Sequence, residues 1–186
     1  MRFKLAFLYI MTLLMLLWSA PSLGGNALNL PGQFKRGTEP DGFRDLKWGQ
    51  DISTIIKEMH LLEHDDSLGG AEVYIRPSDR LEIGPTKLQS IKYYFWQRKF
   101  MMVILECQGL PDFQFLKEAA FARFGPGFKP NQFIERYAWI GNKTGIILEY
   151  NEITQKGTMT WMSIKMMKRL QSWLKEKAKE AAKKGW

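Results

Sequence analysis

Leu88-Gln89-Ser90-Ile91-Lys92-Tyr93-Tyr94-Phe95-Trp96, a break at Gln97-Arg98-Lys99, then Phe100-Met101-Met102-Val103-Ile104-Leu105-Glu106-Cys107: on these twenty residues the fold turns. Both runs are rich in aromatic and branched side chains, which fit a pleated, half-buried surface. The polar break between them predicts a hairpin. Upstream, Ala71–Arg76 reads as a further strand ended by Pro77. Asp65-Asp66-Ser67-Leu68-Gly69-Gly70 is a turn-like cluster. Met59–His64 before it could continue a helix or begin a strand, and the turn favours the strand. Asp51 is placed to cap a short helix carrying Ile52, Ile55, Ile56 and Met59 at helical spacing.

Downstream, Gly109 and Pro111 interrupt the pattern. Asp112 then caps a second helix whose Phe113, Leu116, Ala119, Ala120 and Phe124 share a face, with Gly125 closing it. Three strands follow: Phe133–Ile140, Ile146–Asn151 and Thr158–Ser163. The last helix starts near Met166, with Met167, Leu170, Leu174, Ala178 and Ala181 as its stripe and lysines elsewhere. The pattern predicts an α+β domain: an antiparallel sheet of about seven strands, helices on one face, and a C-terminal amphipathic helix. The two halves share a helix-then-meander layout without a residue-level repeat.

The ends of the chain speak to location. Arg2 and Lys4 precede an apolar run of fourteen residues, Leu5–Trp18, and small residues follow at Ser22 and Gly24. That is the pattern of a secretory signal peptide over residues 1–24, cut after Gly24. A membrane-crossing helix needs roughly 20 apolar residues, so an uncleaved inner-membrane anchor is the alternative. The expected location is outside the cytoplasm, in the periplasm. The single cysteine, Cys107, excludes an intrachain disulfide and lipidation at the leader. It closes an apolar run and reads as a small buried hydrophobe. Gly, Pro and Asn dominate residues 25–42, which predicts a flexible linker to a domain spanning 43–165.

The net charge of +8 is unevenly placed. Residues 25–162 carry seventeen basic and seventeen acidic side chains, whereas 163–186 carry eight basic residues against Glu176 and Glu180. The body is neutral and the tail basic, which argues against nucleic acid as a partner of the domain.

The segments Phe43-Arg44-Asp45-Leu46-Lys47-Trp48-Gly49, Tyr74-Ile75-Arg76, Leu81-Glu82-Ile83-Gly84, Ile91-Lys92-Tyr93-Tyr94-Phe95 and Tyr137-Ala138-Trp139-Ile140-Gly141 resemble those of a group of small exported bacterial proteins without an assigned active site. The resemblance spans roughly residues 43–163. It implies export and a common domain, and carries over no catalytic residue. In element order alone, the layout is similar to the tandem helix-plus-sheet architecture of beta-lactamase inhibitor proteins, which bears on fold and not on function.

Three constellations have chemical content. His60-Leu61-Leu62-Glu63-His64 fits the H-x-x-E-H zinc-hydrolase pattern, with Glu118 as the third candidate ligand. The pattern needs a helix; on a strand the two histidines stand about 13 Å apart. Two exposed histidines near a turn are the plainer reading. Asn142-Lys143-Thr144 matches a glycosylation sequon, though a hairpin loop calls for Asn and Gly in any case. No phosphate loop or Gly-x-Ser-x-Gly elbow occurs, and the chain has only two histidines.

Strand alternation supplies the third. One side of each strand leans aliphatic; the other carries Tyr74, Arg76, Lys92, Tyr94, Trp96, Tyr137 and Trp139. With helices on the first side, these seven form an exposed binding surface of hot-spot residue types. The competing reading places the rings in the core, because large exposed apolar patches are rare on monomers. The expected function is a non-enzymatic periplasmic binding or protein-interaction module with no cofactor, its partner an envelope protein or ligand. The first alternative is an envelope protein held at anionic lipid by its basic helix, 166–186, or by the N-terminal segment. The second is the zinc hydrolase.

Overall fold

A computed structural model describes residues 32–184. The expected signal peptide, residues 25–31 of the expected linker, and Gly185 and Trp186 lie outside the described residues.

Polar turns and apolar runs set the elements. A small hairpin, β1 (Gly42–Phe43) and β2 (Leu46–Lys47), precedes two single 3-10 turns at Ile52–Thr54 and Ile56–Glu58. Then come β3 (His60–Asp65), β4 (Ala71–Ile75), a second small hairpin of β5 (Glu82–Ile83) and β6 (Thr86–Lys87), β7 (Ser90–Trp96) and β8 (Lys99–Gln108). Helix α1 (Leu110–Phe124) leads to β9 (Arg136–Ile140), β10 (Thr144–Asn151), β11 (Lys156–Ser163) and helix α2 (Ile164–Lys184).

The main sheet has seven strands in the order β3-β4-β7-β8-β11-β10-β9, every pair antiparallel. The α+β class and the antiparallel sheet are as the sequence predicts. Two meanders meet at the central β8–β11 pair, with α1 carrying the chain from the middle to the far edge. The β7–β8 hairpin closes through Gln97 and Arg98, both at positive φ (49° and 65°). That two-residue turn follows the right-handed strand twist. Asp51 does cap its segment, accepting the Ser53 N–H at 2.9 Å. Only 3-10 turns follow, because β-branched Ile52, Thr54, Ile55 and Ile56 are poor helix formers.

The sheet is buried on both sides. On one side Tyr93, Phe95, Val103, Leu105, Ile146, Leu148, Met159 and Trp161 pack with Phe113, Leu116, Ala120 and Phe124 of α1. On the other, Val73, Tyr94, Trp96, Met102, Ile104 and Met162 pack with Met166, Met167 and Leu170 of α2. The helices therefore lie on opposite faces, a correction to the expected shared face. The reason is local. Helix α2 follows β11 with no loop, and the Ser163 hydroxyl accepts the Met166 N–H at 3.3 Å. The chain has no connection long enough to cross to the α1 side.

Residues 32–41 are not a free tether. Gly32 accepts from Ile140 N–H (2.8 Å), Lys35 N–H donates to Phe124 O (2.7 Å), and Phe34 packs edge-on to Phe124. Glu39 accepts from the N–H groups of Lys143 (2.5 Å) and Thr144 (3.0 Å), and the Thr144 hydroxyl donates to Pro40 O at 2.6 Å. The segment is a strap along the β9 edge. Gly32 sits at φ +87°, and a Cβ there would come within 2.5 Å of Phe128 Cβ. Sequence composition could not disclose a strap, because its bonds are to the backbone of residues a hundred positions away.

Cys107 is buried as expected, against Phe113 and Gly157. Burial, with the Asp112 charge adding to it, pushes its thiol up to about 11. Such a group is a packing element and not a nucleophile at neutral pH.

Candidate binding cavity

The seven residues expected on an open face are divided by the structure. Tyr74, Tyr137 and Trp139 belong to the core under α1, while Tyr94 and Trp96 belong to the core under α2. All five rings are buried, Trp96 at 3 % and Trp139 at 0 % exposure. Trp96 meets Trp173 of α2 edge-on at 5.9 Å. Burial, aided by the charges of Asp65 and Glu63, raises the Tyr94 phenol well above its ordinary range. Two corrections follow: the set does not share one face, and its rings are not presented to a partner.

The two charged members serve the fold. Arg76 pairs with Asp45 at 2.7 Å and with Glu58, tying the end of β4 to the first hairpin and the second 3-10 turn. The Asp45 bond, against some desolvation, raises the guanidinium further. Lys92 reaches Glu106 at 3.3 Å, and Ser90 donates to the same carboxylate at 2.6 Å. Burial works against ionised Glu106, yet these partners hold its carboxyl below the usual range.

His60, Glu63 and His64 lie on edge strand β3, as the strand reading predicts. Glu118 lies on α1, which covers the α1-side core rather than that edge. Among the described residues no three side chains of metal-ligating type converge.

The feature the sequence did not announce is a cavity of about 470 Å³. It opens where α1 meets the sheet beside the two small hairpins. Pro40 and Asp41 of the strap, Gly42, Phe43 and Arg44 of the first hairpin, and Glu82 and Ile83 of the second form one side. Leu116, Ala119, Ala120, Arg123 and Phe124 of α1 form the other, and Met159 and Trp161 of β11 form the floor. The spacing that gives α1 its apolar stripe also sets this wall: Leu116, Ala120 and Phe124 lie at helical repeats, and alanine at 119 and 120 leaves room. The size is that of a small-molecule site, and its lining divides almost evenly between apolar and polar surface, with Asp41, Arg44, Glu82 and Arg123 among the wall residues.

The polar groups are specific. The Trp161 indole is buried against Phe43 (5.3 Å, edge-on) and Phe124 (5.4 Å, edge-on). Its Nε1 is buried without a hydrogen-bond partner; among the described residues only Arg76 Nε shares that condition. An unmatched buried donor costs about 1–3 kcal/mol. At the rim, Arg44 donates to Asp79 Oδ1 and to Arg80 O, each at 2.5 Å. Asp79 Oδ2 in turn accepts from the Tyr93 hydroxyl at 2.6 Å. Arg44 and Arg123 lie over the rings of Phe43 and Phe124, at 5.5 and 5.4 Å.

Sequence reasoning missed Phe43, Arg44, Arg123 and Trp161 as a group. Phe43-Arg44 falls in a resembling segment, but nothing local ties it to Arg123, eighty residues on, or to Trp161. This chain matches no protein-family model, no curated protein and no solved structure.

Proposed function

We propose that this chain is an exported, non-enzymatic binding module that holds a small, largely apolar molecule in the cavity between α1 and the sheet. The observation that carries the reading is the cavity of about 470 Å³ itself, walled by α1, the strap and the two small hairpins and floored by Met159 and Trp161. The leader-like residues 1–24 support export. The working site is the cavity, since both sheet faces are occupied by the protein's own helices.

Titration with the neutral apolar probe N-phenylnaphthylamine should change tryptophan emission saturably. Ala119→Trp, at a half-buried wall position, should abolish the change while the melting temperature moves by only a few degrees. Probe binding that survives Ala119→Trp would reject the cavity as the site.

A second reading has its own observation. Beyond Leu174, residues 175–183 of α2 are exposed, among them Lys175, Lys177, Lys179 and Lys183. Near an anionic lipid surface each lysine contributes about 1 kcal/mol. No helix among the described residues is long and apolar enough to cross a membrane, so this contact is peripheral. Vesicles of phosphatidylglycerol should sediment the protein at low salt and release it near 1 M salt, where screening acts within about 3 Å. Equal retention on phosphatidylcholine vesicles, or none on either, removes this reading.

A further inference from the structure

We propose that β3 is a self-recognition strand, along which two copies of this chain pair antiparallel to form a symmetric dimer. The two edges of the sheet are finished differently. Along β9, Phe128 exchanges both backbone bonds with Ala138 at 2.9 Å, and Gly32 accepts the Ile140 N–H. Along β3, among the described residues, the one backbone bond outside the β4 ladder is that of Gly70 N–H to Asp65 O, within the turn. The outward N–H and C=O groups of β3 are thus a template for another strand. The strand is exposed from His60 to His64, with Leu61 and Leu62 each at 49 %.

The side chains say what fits that template. His60 pairs with Ile75 and Glu63 with Val73, two positions apart on β4, so both stand on the α2 face. Leu61 pairs with Tyr74 and stands on the α1 face, and Leu62 is the extra residue of a bulge. On a regular strand residues three apart point opposite ways; the bulge brings His60 and Glu63 to one side. Laid antiparallel on itself, His60-Leu61-Leu62-Glu63 is its own complement. His60 of each copy meets Glu63 of the other, and Leu61 of each meets Leu62 of the other. An imidazole N–H donates to a carboxylate, which only accepts, and neither side chain is engaged within its own chain among the described residues. A slip of one residue sets leucine against charge and puts the faces out of phase.

Short length, a bulge and charged side chains are how an edge strand turns away unrelated strands. A second copy is the one partner that meets all three in kind. Pairing uses β3 of both copies, and both β9 edges are already covered, so association closes at two. Six residues a side make a contact at the small end of specific interfaces, which sets a Kd of about 10–100 µM. No residue of β3 lines the cavity, so this inference and the cavity reading fail separately.

Sedimentation velocity of the purified chain over about 1–300 µM, a span bracketing that affinity, should show monomer passing to dimer and nothing larger. His60→Glu opposes glutamate to glutamate twice and should weaken association about 5–30-fold. Glu63→His opposes two histidines and should weaken it about two- to fivefold. Both sites are exposed, so the melting temperature should move by under about 2 °C. The decisive sample mixes the two variants in equal amounts. Across the mixed pair every glutamate meets a histidine, and the heterodimer should form at the affinity of the parent dimer. A parent chain still monomeric at about 300 µM, equal association of parent and both variants, or a mixture no tighter than its components overturns the proposal.

Discussion

Trp139→Ala should lower the melting temperature by roughly 8–16 °C, the equivalent of about 4 kcal/mol in a domain of this size. Trp139 is wholly buried although its strand, β9, is at the edge of the sheet. Its Nε1 donates to the carbonyl of Gly125, the residue that ends α1, at 2.9 Å. Phe121 and Phe124 meet the indole edge-on at 5.7 and 6.2 Å, and Gly127 lies so close that a Cβ there would stand 2.8 Å from it. Alanine would leave an indole-sized void, strand the Gly125 carbonyl and loosen the end of α1, which is also a cavity wall. Trp139→Phe keeps most of the packing and should cost less, chiefly the hydrogen bond at about 1 kcal/mol. Thermal unfolding followed by circular dichroism measures both. A shift under about 2 °C for Trp139→Ala would match an exposed surface residue and refute the packing described.

The reason that residue was expected outside shows what the sequence can and cannot say. Alternation in Ser90–Trp96 and the polar break after it fixed a hairpin, and turn residues fixed the neighbouring strands. Period-two patterning separates the faces of one strand but does not state how strands are phased against one another. Val73 pairs with Tyr94, and Tyr74 with Tyr93. Val73, read on the aliphatic side, therefore shares a face with Tyr94, read on the opposite side. A register shift between Tyr94 and Phe95 sends Met101 and Met102 to the same side. Aromatic residues on both sides of a strand mean that both sides are covered, and the basic terminal helix supplied the second cover through Met166, Met167 and Leu170. Its lysines drew attention to solvent while its methionines closed the core. The cavity was less legible still. Its walls come from five segments whose meeting depends on the strap and the two small hairpins.

Stability should fall steeply above pH 10, and Tyr93 and Tyr94 should account for much of the fall. Burial raises both phenols well above their ordinary range; for Tyr93 the hydrogen bond to Asp79 adds to it, for Tyr94 the nearby carboxylates do. Below the unfolded value near 10 both states keep these protons, and the contribution of the two groups is fully present. Above it the unfolded chain releases them and the native chain does not. Unfolding is then favoured by about 1.4 kcal/mol per pH unit for each phenol, or about 4 kcal/mol for the pair at pH 11.5. Cys107, with its thiol pushed up to about 11, adds a smaller loss that begins nearer pH 9. Urea midpoints between pH 8 and 11.5 give the slope. Lysines titrate across the same interval, so the slope difference between the parent chain and Tyr94→Phe isolates one phenol, and Tyr93→Phe isolates the other. Each variant should flatten the decline by about half of the pair's share. If Tyr94 instead ionises near pH 10 in the native protein, seen as phenolate absorbance without unfolding, α2 does not cover the second face. The ring would then be available to a partner, and the sheet face would return as the working surface in place of the cavity.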